Sequence, residues 1–343
     1  LTPSWLILLL LCISFCYSRL PIQFCLIIQK KYFGYSILQM SKYFDQKDLF
    51  MGPTVTQHNG HMVMTDVVPP TKTKYLTIDT RFHDDYQSGT IANYNISLPE
   101  RINDVKSIRV TNVEIPITYY NISANRGNNT FSLSILNKRA VIVIPDGQYD
   151  KDALSAKINT EIMLMTSPFT SIIFSIENSR GLFINNGEKN DCIINFDVTK
   201  NAISATNKMA TMGWLLGFRS KDYTISSSSG ITGESFVNLI GTRYLYLIVD
   251  EFKNGNPHSF ISLSRTSELS SQQIIARISV DDRKYPFGSI LVADDYGSCK
   301  SDTRQYSNEV NIQRMNVRLV DDLGTIIDLN GMDFSFCLEL KHV

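Results

Sequence analysis

From Lys74 onward, apolar and polar residues alternate in short runs, each closed by Gly, Asn or another turn former. The run "KYLTID" alternates, as does "IANYNISLP" through Ile91, Tyr94, Ile96 and Leu98, and "VKSIRVTNVEIP" sets Val105, Ile108, Val110 and Val113 against one sheet. "NNTFSLSIL" and "RAVIVIP" follow across Asn137-Lys138. "TSIIFSIE" and "GLFINN" follow across Asn178 to Gly181, and "DCIINFD" comes after Asn186-Gly187. Strand, polar turn, strand with Gly and Asn at the corners predicts antiparallel sheets.

Two helices interrupt this meander. Asp150 is a good N-cap for "KDALSAKINTEIMLM", where Leu154, Ile158 and Ile162 form a stripe facing a core. A second helix is predicted from about Lys200 to Trp214, running into "GWLLGFR". The Ser-rich stretch 222–234 reads as a loop, after which "RYLYLIVDEF", "QQIIARISV", "VNIQRMNVRLVDD" and "MDFSFCLEL" resume the strand pattern. The last two flank "DDLGTIIDLNG" like a hairpin with a wide connection. The fold expected for 74–343 is a mainly β, antiparallel β-sandwich, jelly-roll-like, with two short helical insertions and room for two subdomains dividing near 220–235.

Upstream the pattern changes. Residues 40–73 show neither period and end near Pro69-Pro70, which reads as an extended arm because prolines block helix and interior strand pairing. Phe50, Met51, Met62, Met64, Val67 and Val68 are many apolar residues for an idle tail, so the arm is expected to dock on something. Residues 1–39 hold the apolar runs Trp5–Ser18 and Ile22–Ile28 with no basic residue ahead of the first. Met40 opens "MSKYFDQKD" like a translation start. Residues 1–39 are read as translated upstream sequence, with a signal peptide or kinked membrane anchor as the alternative. Membrane contact follows only if residues 1–28 act as that anchor.

Composition narrows the function. Of 343 residues, 19% are charged, below the typical value of about 25%, so most of the chain should fold. Arg19, Lys30 and Lys31 are the only charges in 1–39, so all 33 acidic residues and 30 of the 33 basic ones lie in 40–343. A body so balanced has no field to draw nucleic-acid phosphates, and no direct nucleic-acid contact is expected. Cys12, Cys16 and Cys25 fall in the first segment, leaving Cys192, Cys299 and Cys337 scattered in the body. That is neither a disulfide framework nor a zinc pattern, and it favours a reducing compartment. Sequons at Asn95, Asn121 and Asn128 matter only if the chain is secreted.

Candidate chemistry is thin. "YLTIDTRFHDDY" concentrates Asp79, Arg81, His83, Asp84 and Asp85, yet no second constellation is assignable to it. It reads as a strand end in which Arg81 pairs Asp79 or Asp84 to hold a turn. His58 and His61 form H-x-x-H without a neighbouring Cys or Glu, and Asp281-Asp282, Asp294-Asp295 and Asp321-Asp322 sit at strand ends as turn aspartates. "GWLLGFR" lacks the Walker lysine and the G-x-G-x-x-G spacing. Trp214, Leu215, Leu216 and Phe218 are expected in the core, and Gly213 and Gly217 at tight backbone positions. No catalytic, cofactor-binding or metal-binding residue is assigned, and no enzyme is expected. A hydrolase would need His83 or His258 to meet an acid in a pocket.

Several blocks, in order and spacing, carry a resemblance: "LTIDTRFHDD", "NYNISLPERINDVKSIRVTNVEIPITYYNIS", "IPDGQYDKDALSAKIN", "MGWLLGFR" and "VRLVDDLGTIIDLNGMDFSFCLEL". Across about Lys74 to Leu340 the chain resembles the minor capsid and related virion structural proteins of large icosahedral DNA viruses of algae and amoebae. In that family the first block usually reads Asp-Ser-Arg, then Phe and a second Arg or Asp; Thr80 and His83 depart from it. The resemblance implies a non-enzymatic β-sandwich that bridges or cements capsomers inside the shell of a virion assembled in the host cytoplasm. The implied partners are the major capsid protein and other virion proteins, with self-association open. Its structural motif residues here are Asp79, Arg81, Asp84, Pro116, Gly147, Gly213, Trp214, Gly217, Phe218 and Gly331. The alternative from another class is a secreted or membrane-anchored glycan-binding sandwich that stacks sugars on exposed tyrosines.

Overall fold

The computed structural model divides the chain at Pro70 into two units. The structure describes residues 56–58, 61–63, 70–82, 91–187, 189–198, 208–227, 229–252, 260, 273–294 and 297–343. The hydrophobic segment 1–39 and most of the arm lie outside them. In the first unit, β1 (Thr56–His58) and β2 (His61–Val63) pair antiparallel with His58 opposite His61. The prolines predicted an arm without strand pairing. Among the described residues of this unit, these two short strands pair nonetheless.

In the second unit, β3 (Lys72–Asp79) is followed by the 24-residue β4 (Asn93–Pro116). Then come β5 (Thr130–Ile135), β6 (Lys138–Val143), α1 (Lys151–Met163), β7 (Ile172–Glu177), β8 (Arg180–Asn185) and β9 (Cys192–Asn195). After them lie α2 (Met212–Leu215), β10 (Asp222–Ile225), β11 (Gly230–Thr232) and β12 (Tyr244–Asp250). β13 (Ile274–Ser279), β14 (Ile290–Asp294), β15 (Cys299–Ser301), β16 (Arg304–Val320) and β17 (Ser335–His342) complete the chain. Every described strand pair is antiparallel.

The largest sheet runs β15-β13-β12-β16-β4-β17-β3, with β14 also on β4. It curls far enough that Val110 N in β4 donates to Ser301 Oγ in β15, closing a jelly-roll-like sandwich around one core. Central β12 is buried on both faces: Leu245, Leu247 and Val249 enter that core, while Tyr246 and Ile248 pack with Ile274 and Val320. Its apolar run therefore does not alternate.

Two sequence expectations change here. "NYNISLP" and "VKSIRVTNVEIP" are one strand. Its register against β16 runs from Ser97↔Arg314 to Ile102↔Ile312, so the chain bulges around Pro99, which has no N–H to give the ladder. Strands β16 and β17 are not a hairpin, because β4 lies between them and pairs with both. The connection is wide because it crosses a strand.

Residues 122–239 build a second core. The sheet β10-β9-β5-β6 and the sheet β11-β8-β7 enclose Phe131, Phe174, Phe183, Phe196 and Phe218, whose rings meet at centroid distances from 4.7 to 6.4 Å. Helix α1 packs here. Asp150 caps it by accepting from Ala153 N, and Leu154, Ile158 and Ile162 are fully buried. Asn159 reaches from α1 to the backbone of Phe174 in β7, donating to its O at 2.7 Å and accepting from its N at 2.8 Å. That amide supplies the hydrogen bonds a further strand would make. The chain leaves the first core near Tyr120 and returns near Ile240. The stretch 220–235, where a division was expected, instead holds β10 and β11, both paired inside the second group of strands. The loop expected at 222–234 thus contributes two short strands. Of the second predicted helix, the described part is a 3-10 turn, Lys208–Ala210, followed by α2.

Candidate functional site

The opening and closing blocks of the resemblance meet in space. β3 pairs with β17 over its whole length, burying Ile78 opposite Phe336. Beyond it, Thr80 is fully buried and starts a 3-10 turn, Thr80–Phe82. Its hydroxyl donates to Asp333 Oδ1 at 2.7 Å and accepts from Phe334 N at 3.0 Å, and its N–H donates to Phe334 O at 3.1 Å. Asp79 accepts from Arg81 N, Nε and Nη2, and that side-chain hydrogen bonding holds its carboxyl below the usual value. The first acidic residue of the dense stretch is thereby engaged in holding the turn. His83, Asp84 and Asp85 lie outside the described residues.

"GWLLGFR" wraps the second core. Thr211 caps α2 by accepting from Trp214 N. A Cβ on Gly213 would stand 2.4 Å from the Phe196 ring. One on Gly217, whose φ is +94°, would stand 2.1 Å from Ser235 O. Phe218 is 1% exposed among the aromatic rings. Trp214 differs from the core position expected for it: it is half-buried, and the Arg219 guanidinium lies 4.0 Å from its ring centroid. In a four-residue helix ahead of a tight Gly217 turn, only one face reaches the core, and Met212 and Leu216 occupy it. Pro116 is buried at the end of β4 opposite Ile290. Gly147 exchanges backbone hydrogen bonds with Ile122, and Gly331, at φ +76°, follows Asn330 in a turn.

Other titratable groups are tied into structure. Arg304 and Glu251 form a buried ion pair, with Tyr306 Oη donating to Glu251 Oε1 at 2.7 Å and Arg304 also donating to Val249 O and Gln273 O. Burial pushes the Tyr306 phenol well up and the Cys192 thiol up to about 11. Asp321 is 2% exposed and closes its own turn, accepting from Leu323 N and Thr325 N. Among the described residues no group of three or more His, Cys, Asp or Glu could hold a metal, and no helix is long and apolar enough to cross a membrane. His258 lies outside them, and nothing is described of the His58 and His61 side chains.

The sequons separate into two kinds. Asn121 is 4% exposed and Asn128 3%. Asn121 binds Tyr149 O, Leu239 O and Tyr149 N, while Asn128 binds Asn121 O and Ser123 N. Amides so engaged are closed to a glycan in the folded chain. Asn95 is exposed.

Two sheet faces expose apolar residues. Val141 and Val143 on β6 share a face with Ile193 on β9, opposite the second core. On β14, Ile290 and Val292 are exposed while Leu291 and Ala293 are buried. The β6 edge carries no further described strand.

No protein-family model matches the sequence, and no curated protein sequence matches it. In structure the chain is similar to the mavirus penton protein, with a TM-score of 0.40 and 10% identity over 79% of this chain and 100% of that one. It is also similar to a chain of the Sputnik virophage, with a TM-score of 0.37 and 14% identity over 80% of this chain and 98% of that one.

Proposed function

We propose that this chain is a non-enzymatic structural protein of a virus particle, placed as a minor capsid protein that bridges or cements capsomers. One observation carries this reading. The first, second and last of the blocks that resemble the minor capsid family, far apart in the chain, are neighbours in one sheet: β3, β17, β4 and β16 lie side by side, and Thr80 of the first block joins Asp333 of the last. A resemblance scattered over the chain is thus a resemblance in framework.

Surface chemistry supports the reading. Exposed Val141, Val143, Ile193, Ile290 and Val292 are β-branched residues on sheet faces, of the type that assembled subunits cover. The partner in this reading is the major capsid protein in the virion, after assembly in the host cytoplasm. The described acidic and basic clusters hold turns and strands, which is why no catalytic role is proposed.

Cross-linking mass spectrometry on particles tests the partner. Cross-links from Lys138 or Lys189, which flank the β6 and β9 face, to the major capsid protein are the expected result. Cross-links confined to non-capsid proteins would oppose it.

A further inference from the structure

The chain passes twice between the two cores, outward through Tyr119 to Asn121 and back through Ile240 to Thr242. At this neck lies a partly open cavity of about 20 Å³, bordered by Tyr119, Arg126, Thr242, Asp321 and Thr325. Three of its polar atoms, Tyr119 Oη, Arg126 Nη1 and Thr242 Oγ1, are buried without a hydrogen-bond partner among the described residues. Thr242 is 3% exposed and Tyr119 9%. Three such groups on one small cavity are a costly arrangement if dry, since each buried polar atom left unpaired bears its full desolvation penalty. Asp322 Oδ1, which makes no hydrogen bond, pairs ionically with Arg126 Nη2 at 3.9 Å.

We infer that this cavity is a built site for one ordered water molecule, which ties the outgoing and returning chains of the neck to the loop that carries Arg126. The volume suits one water, which needs about 10–15 Å³ and typically makes about three hydrogen bonds. The chemistry also suits it. Arg126 Nη1 can only donate, so the water accepts there. The Tyr119 and Thr242 hydroxyls each donate or accept, filling its remaining positions. An anion is disfavoured because Asp321 borders the cavity and Asp322 stands beside it. A metal cation is disfavoured because the Arg126 guanidinium already lies 3.5 Å from Asp321 Oδ2. Neither core alone supplies all three ligands: Tyr119 belongs to the first, and the loop bearing Arg126 leads into β5 of the second. The water therefore acts as a pin between them.

The test is a high-resolution structure of the full chain together with thermal melting of Tyr119→Phe, Thr242→Val and the double variant. Density for one water within hydrogen-bond distance of all three atoms is expected. Each single variant should lower Tm, and the double variant should lower it by less than the two shifts summed, because both lose the same water. Absence of density, an anion or metal in its place, or a rise in Tm on deleting the Tyr119 hydroxyl would each overturn the inference. Should a variant fail to fold, the wild-type density alone decides.

Discussion

Thr80 and Asp333 stand 253 residues apart in the chain, and their side chains meet at 2.7 Å. The same hydroxyl accepts from Phe334 N, so one buried oxygen joins the edge strand β3 to the turn that leads into β17. Removing it leaves the buried Phe334 N–H without this acceptor. Thr80→Ala is expected to cost about 1–3 kcal/mol in urea unfolding. Thr80→Ser, which keeps the hydroxyl, should stay within about 0.5–1.5 kcal/mol, the range for lost buried methyl groups. Equal losses in both variants would mean that packing of the methyl group holds this junction.

Phe218 and Trp214 sit four residues apart and should differ sharply. Phe218→Ala empties a site among packed rings, for a cost of about 3–5 kcal/mol. Trp214→Ala removes a half-buried ring under Arg219, for about 1–2 kcal/mol. Chemical denaturation of the two variants checks the order, and a larger loss at Trp214 would contradict it.

These two sites also mark where sequence was readable. Helix α1 was legible to its cap, because Asp150 and the stripe Leu154, Ile158, Ile162 encode both its start and its buried face. Most strands were legible because alternation survives wherever one face meets a core. What failed was non-local. Nothing in "DDLGTIIDLNG" says that β4 passes between β16 and β17, since the partner strand lies about two hundred residues away. An apolar run in a very short helix does not say which face the sheet covers, so Trp214 is half-buried where the sequence predicts a core position. The serines of 222–234 hid β10 and β11, whose pairing supplies what their composition lacks. Asn159 closing the edge of β7 carried no signal, since an exposed-looking amide in a helix is ordinary. The junction of Asp79 with Arg81 could be read from spacing, whereas that of Thr80 with Asp333 could not.

Asp321 gives a pH dependence with a definite sign. Burial pushes its carboxyl above the ordinary 3.8, while Arg126 and its backbone donors act in the opposite direction. A carboxyl raised in the folded state contributes its stability fully below the unfolded pKa and loses it as pH climbs through the folded one. Stability should therefore fall as pH rises from 3.8 through the raised folded-state value, with Asp322, raised for the same reason, acting alongside. Asp79 is held low, so its contribution is lost only below that window, as pH falls through its folded value. Asp321→Asn keeps an oxygen to accept from Leu323 and Thr325 while removing the titration. Its stability should be flatter as pH rises above 3.8, and an unchanged slope in denaturation at several pH values would contradict the assignment.

The central claim is that this chain is part of a capsid. The most direct measurement is its copy number relative to the major capsid protein, by quantitative mass spectrometry of gradient-purified, salt-washed virus particles. A subunit that bridges capsomers should be present at a fixed ratio that survives washing and repeats between preparations. Absence from particles, or a trace amount that falls with each wash, would contradict the claim.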